Sequence, residues 1–95
     1  MLYNIKTMIM NIDELISNVR SKLDAKIKIQ DIKIEDKSFL HKNHKGHQEG
    51  KFHIKLTIKS EELNKLNKIE STKKIYSILN IELKEQIHSI QIILS

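Results

Sequence analysis

Five histidines carry most of the chemical potential of this 95-residue chain. Three of them fall within seven residues, His41-Lys42-Asn43-His44-Lys45-Gly46-His47, in a stretch without apolar periodicity. His53 follows on the outer face of the next expected strand, and His88 stands where the chain enters its last one. Neutral imidazole is the commonest protein ligand for borderline metals, and a loop can fold several ring nitrogens onto one ion. The chain has no cysteine, so its own sulfur is excluded as a ligand. Zinc, copper, nickel or an iron of a shared cluster then fit the donors. His41, His44 and His47 fit solvated loop residues equally well, and His88 fits a partly buried strand end. Spacing alone leaves both readings open.

Other chemistry finds less support. Ser38 or Ser60 could be paired with a histidine, but no nucleophile-elbow pattern surrounds either. Glu61, Glu62 and Glu82 read as solubilising surface carboxylates, and neither glycine-rich phosphate fingerprint occurs. No enzyme is expected. The basic residues number 17 against 12 acidic, a net charge of +5 that protonation of all five histidines would double. Lys65, Lys68, Lys73 and Lys74 cluster before and within a second expected helix, where they could touch phosphates. Yet Arg20 is the only arginine, and bidentate reading of base edges is mainly arginine's work. Tyr3, Phe39, Phe52 and Tyr76 are too scattered to make a stacking platform.

The elements that must hold these residues follow from periodicity. Asn11 and Glu14 form a capping-box pattern, with Met10 and Leu15 placed as a hydrophobic staple. Ile12, Leu15, Ile16, Val19 and Leu23 then form one apolar stripe, which predicts a helix over 12–24. From Ala25 the period becomes two, through Ile27, Ile29, Ile32 and Ile34, with a slip at Gln30-Asp31. Phe52, Ile54, Leu56 and Ile58 alternate with His53, Lys55, Thr57 and Lys59, predicting a half-buried strand with a polar outer face. Residues 60–68 read as a helical turn or loop. Ile69, Ile75, Tyr76, Ile78, Leu79 and Leu83 form a broad helical stripe, and His88, Ile90, Ile92 and Leu94 share one face of a terminal strand. The expected core is Leu15, Val19, Leu23, Ile34, Phe52, Ile54, Leu56, Ile58, Ile75, Leu79, Leu83, Ile90 and Ile92. The order predicts an α+β sandwich, with helices on one face of a three-stranded mixed sheet.

Size and composition set the frame. The chain suits a single domain over 11–95 behind a flexible leader at 1–10. Asp13 and Glu14 interrupt the first twenty residues, so no signal peptide or membrane span is expected. Without cysteine there is no disulfide framework, and a cytoplasmic protein with no membrane partner is the expectation.

Several linked segments resemble the BolA family. They are Asp36-x-Ser38, His44-Lys45-Gly46-His47, His53-Ile54-Lys55 leading to Lys59-Ser60, Ile75-Tyr76-Ser77-Ile78-Leu79, Glu82-Leu83 and Ile87-His88-Ser89, spread over residues 32–92. The resemblance implies an α-β-β-α-β class II KH-like fold and a non-enzymatic protein. It also implies pairing with a monothiol glutaredoxin, in a heterodimer that holds a bridging [2Fe–2S] cluster together with glutathione. The isolated chain would carry no cofactor and be a monomer. By this resemblance His88 is one cluster ligand and a loop histidine the second. His41 has the family distance from Asp36, His44 has it counted back from His53, and His47 remains a candidate. Cluster binding through imidazoles should weaken as pH falls toward about 6. Some relatives regulate transcription by binding DNA, for which Lys65, Lys68, Lys73 and Lys74 are the available contacts. Here Ser71-Thr72-Lys73 replaces the family's Arg-His-Arg, which removes both guanidinium groups.

Overall fold

The computed structural model describes residues 11–38 and 51–95. Its first helix, α1 (Ile12–Lys26), starts at Asn11, whose Oδ1 accepts the Glu14 amide at 2.8 Å. The return bond differs from the expected capping box, because Glu14 Oε1 accepts the Asn11 side-chain amide at 2.9 Å. Met10, the other half of the expected staple, lies outside the described residues. Leu15, Val19 and Leu23 are fully buried along one face of α1.

The helix runs past the expected end at 24, and Ile27 is its C-cap rather than the start of a strand. The Ile27 amide donates to the Leu23 carbonyl at 2.8 Å while its apolar side chain stays buried. An extended, apolar capping residue therefore imitates the strand pattern that begins four residues later. Strand β1 (Asp31–Asp36) starts where the phase slips. It pairs antiparallel with β2 (Phe52–Lys59), and β2 pairs parallel with β3 (Ile87–Leu94), giving the order β1-β2-β3.

Between β2 and β3 lie α2 (Glu61–Asn64), α3 (Lys68–Ile78) and α4 (Asn80–Glu85). The expected turn at 60–68 thus contains a short helix capped by Ser60, and the expected single long helix breaks at Leu79. Asn67 and Glu70 form a complete capping box at the start of α3. Ile34, Ile54, Leu56 and Ile58 meet Leu15, Val19, Leu23, Ile75 and Leu79 in one core on one side of the sheet.

Ile27, Leu63 and Ile87 belong to that core as well, whereas Phe52, Leu83, Ile90 and Ile92 are only partly buried at its margin. Two members of the expected stripe on α3 are not core: Ile69 is 69% exposed and Tyr76 44%. A stripe wider than the sheet can cover leaves its flanks in water. Glu82, read as a surface carboxylate, is buried, and the Lys22 ammonium 2.6 Å from its Oε2 ties α4 to α1.

Candidate functional site

The site grows from the place where β1, β2 and β3 meet at one end of the sheet. Asp36 ends β1, and its Oδ1 accepts the Ser38 amide at 2.9 Å, a side-chain-stabilised turn. Ser38 Oγ in turn accepts the His53 amide at 3.0 Å, and the Lys37 amide donates to the His53 carbonyl at 2.7 Å. The Asp36-x-Ser38 pair thus fixes the backbone of His53 from the β1 side.

The β3 side is fixed by a bulge. Phe52 pairs with Ile87, but the next residue, His53, pairs with Ser89, so His88 is the extra residue. A bulge disrupts the ladder locally and re-aims a side chain, often beside a functional site. Ile87 remains buried and Ile90 resumes the core side opposite Ile54, while both His88 and Ser89 are exposed. Regular alternation would have put His88 on the face of Ile90, Ile92 and Leu94, as expected from the sequence. The bulge takes it off that face.

His88 instead lies beside His53, ring centroids 4.8 Å apart and planes tilted by 54°. Nδ1 of His53 and Oγ of Ser89 share a 2.6 Å hydrogen bond. When Nδ1 carries the proton and donates it to Ser89, Nε2 is the lone-pair nitrogen, the tautomer and orientation found in metal-bound imidazoles with a supporting partner. His53 is only 6% exposed although it stands on the outer face of β2. The polar outer face is therefore closed over at this one point, a feature that alternation of residue types does not carry. His53 and His88 are the two histidines among the described residues. Among the described residues no group of three or more histidine, cysteine, aspartate or glutamate side chains forms a metal-binding set. His41, His44 and His47 lie outside the described residues.

The four lysines expected at a nucleic-acid surface are separated by their pairing. Lys74 Nζ is 2.8 Å from Glu62 Oε2, so its charge is already met. That contact, followed by the hydrogen bond from the Lys28 amide, holds the Glu62 carboxyl below its usual range. Lys65, Lys68 and Lys73 are exposed, and the last two flank the apolar surface of Ile69 and Tyr76 on α3. Ser71, at the first arginine position of the family pattern, is fully buried, and its Oγ donates to the Leu63 carbonyl at 2.9 Å.

The family model for BolA-like protein matches residues 23–95, which takes in the whole β-sheet and the bulge. The chain belongs to that family. Among solved structures, BolA1 from Arabidopsis thaliana is 27% identical, with a TM-score of 0.71 over 83% of this chain and 87% of that one. The BolA domain of SufE1 from the same plant is 26% identical, with a TM-score of 0.70 and the same coverage. A bol-like protein from Babesia bovis, 17% identical with a TM-score of 0.64 over 82% and 79% of the chains, shares the fold. None of the curated proteins matches the chain by sequence. In this BolA-like protein three of the segments carrying the resemblance meet at the bulge, where Asp36-x-Ser38, His53 and His88-Ser89 form one structural unit. Among the described residues no helix is long and apolar enough to cross a membrane.

Proposed function

We propose that this BolA-like protein is an iron–sulfur adaptor that binds a monothiol glutaredoxin and contributes imidazole ligands to a [2Fe–2S] cluster shared with it. The observation that carries this reading is the pairing of His53 and His88 at the bulge, one ring held through Nδ1 and the other exposed. The donor set fits a partial site. Two adjacent imidazoles suit one iron, and a chain without cysteine must leave the thiolates to the partner and to glutathione. When bound, such a cluster supplies electron-transfer or iron-donating chemistry, at a potential raised by imidazole relative to all-thiolate ligation.

The residues of this chain have distinct parts in the proposal. His88 is the ligand a docking partner reaches first. Ser89 orients the His53 ring, and Asp36 and Ser38 hold its backbone. His53 serves as the second ligand or as the neighbour that positions His88, with His41, His44 or His47 then completing the pair. The protein would act without catalysing a reaction, in the cytoplasm.

The test is a titration of the purified protein into anaerobic, glutathione-loaded [2Fe–2S] monothiol glutaredoxin, read by visible circular dichroism. A changed spectrum that saturates at one to one, and is lost with His88→Ala, is the expected result. The same spectrum from His88→Ala would overturn the ligand assignment, and no change with the natural chain would overturn the adaptor reading.

A further inference from the structure

The helices cover one side of the sheet, and among the described residues no helix packs on the other. On that open side, successive rows of residues lead away from the imidazoles. His53 stands beside Ser89, then Glu35, Lys55 and Gln91 form the next row, and Lys33 and Thr57 the one after. Lys33 and Gln91 are exposed, and Lys55 and Thr57 half-buried. The carboxylates of this face are already engaged: Glu35 holds the Lys37 ammonium at 3.2 Å, and Asp31 stands opposite Lys59 at the far end. Lys33 and Lys55 are left over, with no carboxylate in ion-pair contact among the described residues. The field they add is felt at Glu35, whose carboxyl is held below its usual range first by the Lys37 contact and then by the charges of Lys33, Lys37 and Lys55.

The bulge decides from which side a partner comes. It takes His88 off the core side and leaves its ring beside that of His53, on the outer face of β2. A thiolate that shares a metal with these imidazoles is therefore brought in over the open side. A stable interface covers about 800 Å² per partner, a disc of roughly 16 Å radius. Successive side chains on one face of a strand stand about 7 Å apart, so a disc centred on the imidazoles takes in Lys55 and Gln91 in the first row and Lys33 and Thr57 in the second. Lys68 and Lys73 belong to α3, behind the sheet, and stay outside it.

Resting on the adaptor reading above, we propose that the thiolate-bearing partner docks on the open face of the sheet and not on the helices, with an acidic contact surface that meets Lys33 and Lys55. Complementary charge across such a contact speeds encounter and fixes orientation, which brings the partner's thiolate to the bulged end. Glu35 opposes the contact, and its pairing with Lys37 blunts that opposition.

The test measures the affinity of the full chain for anaerobic, glutathione-loaded [2Fe–2S] monothiol glutaredoxin by visible circular dichroism, with variants of each face. The double variant Lys33→Gln, Lys55→Gln should weaken association on the order of tenfold and leave the spectrum at saturation unchanged, because no ligand is lost. The double variant Lys68→Gln, Lys73→Gln on α3 should bind like the natural chain. Glu35→Gln should bind about threefold tighter, a gain that a folding defect cannot imitate. Added salt should weaken the natural chain more than the Lys33, Lys55 variant, since screening acts on the charges that variant lacks. A natural chain that binds, with an affinity that the sheet variants do not move or that only the α3 variant lowers, would overturn the docking face and leave the adaptor reading standing. A natural chain that forms no complex would overturn the adaptor reading, and this proposal with it.

Discussion

The two ends of the β2–β3 pair are held by opposite means. At the far end, Ser60 is buried, its Oγ donates to the Lys28 carbonyl at 2.8 Å and accepts the Leu63 amide at 3.1 Å. Ser71 binds the Leu63 carbonyl, Asn64 the Ser95 carbonyl, and the Gln30 side chain the Glu61 amide. Every one of those bonds joins a side chain to backbone from another element or the start of a helix, so the end is latched. At the near end the ladder is broken by a bulge, and the polar groups that result are imidazoles and a hydroxyl facing outward. Buried polar groups that are satisfied stabilise, whereas a group kept at the surface by an irregular strand is available for a ligand. Buried side-chain bonds hold the far end, and the near end carries the imidazoles on which the proposed function rests.

Breaking the latch should have the larger effect on folding. Ser60→Ala removes an N-cap and leaves the Lys28 carbonyl without that partner, at a cost of about 1–3 kcal/mol, or several degrees in Tm for a domain this small. Thermal unfolding followed by circular dichroism measures it, and an unchanged Tm would mean the latch is ornamental. His88→Ala, by contrast, should shift stability by no more than about 0.5 kcal/mol, because the residue is exposed and lies off the core face. A large loss of stability there would erase the contrast between the ends.

The smallest effect concerns the half-exposed Glu62, which accepts the Lys28 amide beside the latch. Its folded pKa is lowered, first by the Lys74 contact and then by the Lys28 amide, so it stabilises the fold when ionised. That contribution is present above its unfolded pKa and is lost as pH falls through the lower, folded value. Glu62→Gln should therefore be slightly less stable than the natural chain at neutral pH. The difference should vanish only in acid well below the ordinary glutamate range, once the pH has passed beneath the lowered folded value. Urea unfolding at the two pH values decides it, and a gap that persists in acid would point to lost packing.

The same contrast explains what could be read from residue order. Regular parts were legible: the stripe of α1 with Asn11 before it, and the strict alternation of β2, each name their own partners. The segments of the resemblance that hold Asp36, His53 and His88 are also neighbours in space, at one end of the sheet. Irregular parts were not. A bulge is a mismatch between two strands, and β3 alone reads as perfect alternation with His88 on the face of Ile90. His53 looks like an outward strand residue because its cover comes from Ser89 and the Ser38 turn, both distant in sequence. Ile27 misled for a simpler reason, since a helix cap and a strand residue share extended backbone. Glu82 shows the same limit, as only the approach of Lys22 from α1 makes its burial tolerable.

The central claim is that an imidazole of this chain binds iron at the bulged end. It is tested most directly by labelling only this chain's histidines with ¹⁵N, forming the complex with unlabelled [2Fe–2S] glutaredoxin, and reducing it for pulsed electron paramagnetic resonance. The account predicts ¹⁵N hyperfine couplings from two imidazoles of this chain, of which one is lost with His88→Ala. A complex that forms without any ¹⁵N coupling would contradict it.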